Sequence, residues 1–170
     1  MEPPSRLASS ARSSSASFHA LRLRPGADLL RELRAYAARE RLRAAFVATC
    51  VGSLSRASLR FAGEPGAAVR EGAFEIVSLV GTLGAGAAPH LHLSLSDAAG
   101  AVVGGHALEG CVVRTTAEVV LGECEGLEFS RPLDAESGYD ELHVAAASPA
   151  AEGEGAGAGA GASAGEGGAR

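Results

Sequence analysis

A strand–turn–strand pattern in the middle of the chain constrains the fold most strongly. Apolar and polar residues alternate through residues 90–96 and again through residues 101–108, on either side of the segment 97–100. Alternation with a period of two is typical of strands that bury one face, and a short segment ending in Gly between two such strands indicates a hairpin. The sequence therefore predicts an antiparallel β-hairpin here.

Three of the five histidines of the chain lie on this hairpin, namely His90, His92 and His106. The first two are two residues apart, so on a strand their side chains point to the same face. A two-residue turn would put the third histidine opposite Leu91, on the other face. A three-residue turn at residues 98–100 would put it opposite His92 instead, with Gly100 in the left-handed conformation that such a turn needs. The turn length decides whether the imidazoles converge.

Three neutral imidazoles on one face of a hairpin suit a divalent transition metal, with zinc as the first candidate. Three protein ligands leave a fourth position for water, a carboxylate or another ligand. The sequence has no HExxH or other familiar zinc motif, and the alternative is that these histidines are hydrogen-bonding residues of a polar strand face. Because catalysis would need an acid or base beside the metal, glutamates on neighbouring strands are candidates: Glu75, Glu109 and Glu118.

The rest of the central region predicts one helix and several further strands. Alternation at residues 18–23 predicts a first strand, which Pro25 and Gly26 end. Asp28 is a favourable helix start, and the apolar residues after it recur roughly every three to four positions. Further strands are predicted at 44–54, 55–61, 73–80 and 112–121, short extended pieces near Val69, at 127–129 and at 140–144, and a flexible loop at 81–88.

Both ends of the chain are low in complexity. Residues 1–16 are rich in Ser, Arg and Ala, and residues 145–170 consist mostly of Ala, Gly, Ser and Glu. Such segments bury too little apolar surface to offset the entropy of ordering them. We expect two disordered tails around a single domain at residues 17–144.

Charge is distributed unevenly along the chain, whose net charge is −5. Residues 1–60 hold 11 arginines and 4 acidic residues, whereas residues 61–170 hold 4 arginines and 16 acidic residues. This division permits a local basic face but argues against a protein that coats nucleic acid broadly. Five arginines on and after the helix are candidates for phosphate contacts, although a solvated helix face is the alternative: Arg31, Arg34, Arg39, Arg41 and Arg43.

The cysteines and the hydropathy of the chain indicate an intracellular protein. The three cysteines are an odd number without CxxC spacing, which is typical of reduced thiols. No apolar window of about 18 residues predicts a membrane span, and the start lacks a secretory apolar core. We expect a cytoplasmic or nuclear protein, with organelle targeting left open by the acid-free segment at residues 5–17.

Several short motifs resemble the PPC domain, the "plant and prokaryote conserved" domain, over about residues 18–144. They are Pro-Gly-Ala-Asp-Leu at 25–29, Cys-Val-Gly-Ser-Leu at 50–54, Gly-Ala-Phe-Glu-Ile-Val-Ser-Leu at 72–79, and His-Leu-His-Leu-Ser-Leu at 90–95 followed by Gly-Gly-His at 104–106. The third resembles the family's Gly-Arg-Phe-Glu-Ile-Leu motif. The last resembles the histidine pattern of stand-alone prokaryotic members.

The resemblance implies an α/β (α+β) fold in which one main helix packs on a mainly antiparallel sheet of about six or seven strands, assembled as a homotrimer. It also implies a metal site at the three histidines and an interaction segment containing Gly72, Phe74, Glu75 and Ile76. Plant members carry AT-hooks that bind DNA, but this chain has no Arg-Gly-Arg-Pro core, and Ala73 replaces the motif's arginine. A trimer also agrees with apolar residues on both faces of the strand at 73–80.

These observations lead to one principal functional hypothesis and two alternatives. The principal hypothesis is a trimeric module that binds metal through its histidines and acts by binding, as a DNA-associated or regulatory protein, more in keeping with a binding protein than with an enzyme. The first alternative is an enzyme that uses the metal to bind or hydrolyse a small ligand. The second is a structural or protein-interaction trimer without metal. The sequence identifies no partner protein.

Overall fold

The computed structural model describes residues 12–148, which form one helix and eight strands. Every strand pair is antiparallel, as predicted. The elements are β1 (Ala16–Leu23), α1 (Leu29–Arg39), β2 (Ala45–Arg60), β3 (Ala68–Gly84), β4 (Ala87–Ser96), β5 (Val102–Ala107), β6 (Val112–Cys124), β7 (Leu127–Ser130) and β8 (His143–Ala146).

Six of the strands form the main sheet, in the order β1-β6-β2-β3-β4-β5. The sheet curls back on itself, because β5 also pairs with the end of β2, where Leu59 lies opposite Ala107 and Arg60 opposite His106. This closure brings the end of β2 beside the predicted histidine hairpin.

The helix begins where the sequence predicts. Asp28 is its N-cap, and its carboxylate accepts hydrogen bonds from the backbone N–H of Arg31 (3.1 Å) and of Gly110 (2.6 Å). A cap of this kind contributes about 1 kcal/mol, and here it also ties the helix to the turn before β6. The apolar face of the helix is buried against the sheet, through Leu29, Leu30, Leu33 and Ala37.

The hydrophobic core is built mainly from leucine, valine and alanine, because the chain has few aromatic residues. Full burial of one such large side chain contributes about 1.5–3 kcal/mol. The largest fully buried side chains are Leu29, Leu33, Leu42, Leu54, Leu59, Leu83, Leu91, Leu93, Leu95, Leu121, Val113 and Val119.

Two segments that the sequence pattern divides into several short pieces each form one long strand. The predicted strands at 44–54 and 55–61 are one strand, β2, whose pairing register with β6 shifts between Leu54 and Arg56 because β2 has an extra residue there. An inserted residue of this kind, a β-bulge, reverses the alternation of buried and exposed side chains beyond it. In the sequence, one continuous strand therefore looks like two separate strands. Likewise β3 contains the extended piece near Val69, the strand at 73–80 and the start of the predicted loop at 81–88, of which only residues 85–86 lie outside strands.

A bulge also changes which residues of β3 face the core. Strict alternation puts Leu79 on the face opposite Phe74 and Ile76, but the register with β4 shifts between Ile76 and Ser78. All three apolar side chains are therefore buried, while Val77 is 56% exposed. The predicted two-faced apolar strand is wrong in this detail.

The C-terminal strands form a sheet of their own. The piece predicted at 127–129 does not extend the main sheet but pairs, as β7, with β8. The predicted last strand at 140–144 corresponds to β8, which begins at His143. The predicted tails fall largely outside the described residues, at 1–11 and 149–170, and Ala16 already belongs to β1. Within residues 12–148, the single helix is far too short and polar to cross a membrane.

The three cysteines are free thiols. Cys50 and Cys111 are buried, and burial raises the pKa of the Cys50 thiol to about 12. Burial raises the pKa of Cys111 as well. Because the thiolate is the reactive form, neither residue is a nucleophile near neutral pH.

Candidate metal centre

The turn between β4 and β5 has the three-residue form that brings the histidines together. The backbone N–H of Asp97 donates to the carbonyl oxygen of Ala101 (3.0 Å), which closes the loop at residues 98–100. Gly100 has φ +80°, the left-handed conformation that this turn requires. His92 consequently lies directly opposite His106.

The side chains of His90, His92 and His106 converge outside the sheet. One ring nitrogen of each lies within 4.8 Å of the others, and the Nε2 atoms of His90 and His92 are 3.3 Å apart. The ring centroids are separated by 5.1–5.8 Å. The Nε2 atoms of His90 and His92 are close enough to share a proton, and the three nitrogen atoms together are close enough to bind one ion, as metal ligands do.

The surroundings of His90 and His106 favour the neutral form of both rings. Burial lowers the pKa of His90, and the positive charges of Arg131, His92 and Arg60 lower it further, against the opposing effect of Glu141. Burial likewise lowers the pKa of His106, followed by the charge of Arg60. The neutral imidazole is the form that binds metal, so this environment favours the ligating state.

One ring nitrogen of the cluster lacks a partner. Among the described residues, Nδ1 of His106 is the one buried side-chain nitrogen or oxygen atom without a hydrogen bond. A buried polar atom left unsatisfied costs about 1–3 kcal/mol, and such atoms are rare outside sites that hold water or an ion. The residues present thus fit a metal chemically, because three imidazoles each bring a nitrogen donor into one small volume and His106 has a ring nitrogen without a partner.

The histidines belong to a line of neighbouring side chains that runs across four strands of the sheet. Val80 of β3 lies opposite His92, His92 opposite His106, and His106 opposite Arg60. A groove of about 680 Å³ runs along this row, and its lining includes Arg60, Tyr139 and the three histidines. The groove and its arginine are invisible in the sequence, because they depend on the pairing of β5 with the distant end of β2.

A second arginine approaches the cluster from the other side. Nη2 of Arg131 donates a hydrogen bond to Oγ1 of Thr82 (2.9 Å), and Thr82 lies opposite His90. Arg131 therefore lines the surface next to His90 and His92, together with Glu141. No local sequence signal could have identified Arg131.

The glutamates proposed as catalytic partners lie elsewhere. Glu109 forms an ion pair with Arg34 (2.6 Å) beside the helix. Glu75 lies opposite Ser96, at the far end of β4 from the histidines, and Glu118 lies on β6. The carboxylates that line the grooves beside the histidines are Glu64 and Glu141.

The structure places four of the five candidate phosphate-contacting arginines next to carboxylates. Such exposed ion pairs contribute little stability, but they reduce the positive potential around each guanidinium. Arg41, the fifth, stands in the turn after the helix with φ +57°. The pairs are Arg31 and Arg34 with Glu109, Arg39 with Glu40, and Arg43 with Glu128.

The resemblance to the PPC domain implies that a segment of β3 contacts partner proteins, and this segment has both buried and exposed residues. Phe74 is 9% exposed and Ile76 is 6% exposed, and both belong to the hydrophobic core. Gly72 and Glu75 are exposed. A partner that approached this strand would meet the backbone and the glutamate, not the two apolar side chains.

A curled antiparallel sheet covered by one helix, with three histidines gathered on its terminal hairpin, defines a small α+β domain with a candidate metal centre. The family model named Plants and Prokaryotes Conserved (PCC) domain matches residues 10–125. The chain belongs to this family, which agrees with the motifs that resemble the PPC domain.

Two relatives share much of this sequence. The bifunctional protein GlmU of Synechococcus sp. (strain JA-2-3B'a(2-13)) is 44% identical over 127 residues, which are 75% of this chain. Those residues correspond to 20% of GlmU, so the chain spans about a fifth of that curated relative. A hypothetical protein from Salmonella enterica has a solved structure with 47% identity and a TM-score of 0.78, covering 79% of this chain and 97% of that one.

More distant structures share the fold. A metal-containing protein from Archaeoglobus fulgidus has a TM-score of 0.67 at 22% identity, covering 79% of this chain and 99% of that one. A structure from Bacteroides thetaiotaomicron with a TM-score of 0.66 and 16% identity covers 78% of this chain and 98% of that one, and it carries a provisional DNA-binding name. At such identities the likeness concerns the fold alone.

Proposed function

We propose that this chain is a metal-binding module in which His90, His92 and His106 hold one divalent transition metal, with zinc as the first candidate. The observation that carries the proposal is the convergence of one ring nitrogen from each histidine within 4.8 Å. The lowered pKa values of His90 and His106 support it, because they favour the neutral donors that a metal needs. The name of the Archaeoglobus protein agrees with it.

A bound divalent ion would supply a Lewis-acidic centre with an open coordination position. The protein contributes the rest. Strand pairing between β4 and β5 fixes His92 against His106, and the two-residue spacing puts His90 on the same side. We expect the module to act by binding through this centre.

Elemental analysis tests the proposal directly. Protein stripped with a chelator, incubated with zinc and passed through a desalting column is expected to retain about one equivalent of zinc per chain, because three ligands are preassembled. The same measurement with Mg²⁺ is the control, since Mg²⁺ prefers oxygen ligands and should not be retained. Protein that remains zinc-free after this treatment would contradict the proposal.

We propose further that the module assembles as a homotrimer through the outer face of the sheet. Val51 on β2 and Val77 and Val80 on the neighbouring β3 are 54%, 56% and 53% exposed, on strands whose inner face already packs against the core. A head-to-tail contact that closes into a ring of three subunits would remove these side chains from water. Val80 lies opposite His92, so the contact would border the metal centre.

Sedimentation equilibrium at micromolar concentration is expected to give about three times the chain mass of 17.0 kDa. Val77→Asp should shift the protein toward monomer, because it would bury an unpaired charge at the contact. Val102→Asp is the matched control, since Val102 is 65% exposed on the end strand β5. A wild-type monomer, or equal dissociation of the two variants, argues against this surface.

DNA association is the second candidate function, favoured by the provisional name of the Bacteroides structure. The arginines of the helix would have to exchange a carboxylate for a phosphate, as Arg34 would with Glu109. We therefore expect weak binding whose retention on a DNA column falls steeply with added salt, with a shallower salt dependence for Arg34→Gln. If the protein is not retained at low salt, or if its retention does not change with salt concentration, phosphate contacts by these arginines are excluded.

A further inference from the structure

Arg60 is the direct neighbour of the proposed metal centre. It ends β2 and lies opposite His106 in the β2–β5 pair, while His106 in turn lies opposite His92. Side chains that face each other across antiparallel strands have Cβ atoms about 4.5–5.5 Å apart. Arg60 therefore extends along the same groove as the imidazoles, and it lines that groove with them.

The guanidinium of Arg60 has no partner within the described part of the chain. Among residues 12–148 it forms neither a hydrogen bond nor an ion pair, in contrast to Arg31, Arg34 and Arg39, which all meet carboxylates. A guanidinium presents several N–H donors in a planar fork whose geometry matches carboxylate and phosphate groups. The N–H donors of the Arg60 guanidinium are therefore available to a ligand in the groove.

Positive charge flanks the histidines on both sides. Arg60 lies on the His106 side and Arg131, held by Thr82, on the His90 side. Glu64 and Glu141 line the same surfaces and offset part of this charge. A divalent ion held by three neutral imidazoles would keep its full charge, so the occupied site would be positive overall.

We propose that the groove binds a small oxyanion, a carboxylate or phosphate group, between the metal centre and the guanidinium of Arg60. This inference rests on the proposed metal function, and it names the chemical class of the ligand. An anion would complete the coordination that three imidazoles leave open, and Arg60 would hold its remaining oxygen atoms through charge-assisted hydrogen bonds. The groove volume of about 680 Å³ lies within the range of small-molecule sites.

Cobalt-substituted protein provides the test, because the visible spectrum of Co²⁺ reports a change in its ligands. Acetate and inorganic phosphate are titrated separately, with acetamide as the uncharged control. We expect a saturable spectral change with at least one of the two anions and none with acetamide. Arg60→Gln should weaken anion binding at least about 10-fold, the effect of losing charge-assisted hydrogen bonds, while still binding one cobalt ion.

Arg70→Gln is the matched control, because Arg70 is exposed on β3 and lies outside the groove lining. It removes the same charge and should leave anion affinity unchanged. Cobalt uptake without a response to either anion, or equal anion affinity in wild type and Arg60→Gln, overturns the oxyanion inference and leaves the metal site standing. Failure of the wild type to take up cobalt overturns both.

Discussion

The His92→Ala/His106→Ala double variant is expected to lose stoichiometric metal binding while keeping its fold. It removes two of the three ring nitrogens that lie within 4.8 Å of one another. Loss of a partner that merely supports a ligand already costs about 10–100-fold in metal affinity, so the loss of two ligands should exceed this. Elemental analysis after zinc incubation should give near zero equivalents, against about one for the wild type.

Folding of this variant should be preserved, because His92 is exposed and Nδ1 of His106 already lacks a hydrogen bond. Its melting temperature without metal should match the wild type or exceed it. Zinc at 100 times the dissociation constant should stabilise the wild type by about 2.7 kcal/mol and leave the double variant unchanged. Equal zinc-dependent shifts in both proteins would show that the metal binds elsewhere.

His19→Ala/His143→Ala is the matched control, since it also removes two imidazoles. His19 contacts the hydroxyl group of Tyr36, and His143 lies near Ser130, so neither belongs to the cluster. This variant should bind zinc like the wild type. If this variant loses zinc as completely as the first variant does, zinc uptake depends on the number of imidazoles and not on their positions.

The histidine hairpin could be predicted from the sequence because its determinants are local. Alternation sets which residues share a face, and a glycine at position 100 selects the turn, so the opposition of His92 and His106 follows from a few consecutive residues. The helix start at Asp28 is local in the same sense, because a cap depends on the residues within one turn.

The surroundings of the histidines could not be predicted, because they are made by contacts between distant parts of the chain. Arg60 reaches the groove only because β2 is one long bulged strand whose end pairs with β5. Arg131 comes to the surface beside His90 and His92 from the segment after β7, where it donates a hydrogen bond to Thr82. A bulge interrupts the alternation that reveals a strand, and sheet closure leaves no periodic signal at all.

The position of β4 also depends on a glycine that pattern analysis assigned to a flexible loop. Gly81 lies in β3 opposite Leu91, with φ +131°. A Cβ atom at this position would overlap the carbonyl oxygen of His90 and lie 3.0 Å from Cα of Leu91. Both the backbone conformation and the close approach of the two strands therefore require a residue without a side chain.

Gly81→Ala is accordingly expected to destabilise the protein by about 3 kcal/mol or more, the sum of backbone strain and overpacking. Urea unfolding with and without zinc measures the effect. Because the added methyl group would push β4 away at His90, any folded fraction should also bind zinc more weakly. One substitution outside the three histidines would then lower both the stability of the fold and the affinity for zinc.

Gly86→Ala separates this explanation from a general intolerance of the β3–β4 hairpin. Gly86 lies in the turn of the same hairpin, and a Cβ atom there would meet no atom within 4 Å. We expect a change within about 0.5 kcal/mol and unaltered zinc binding, as for other exposed substitutions. Equal unfolding midpoints for the two variants would mean that β3 and β4 can move apart at Gly81, and the fixed geometry of His90 would lose its structural basis.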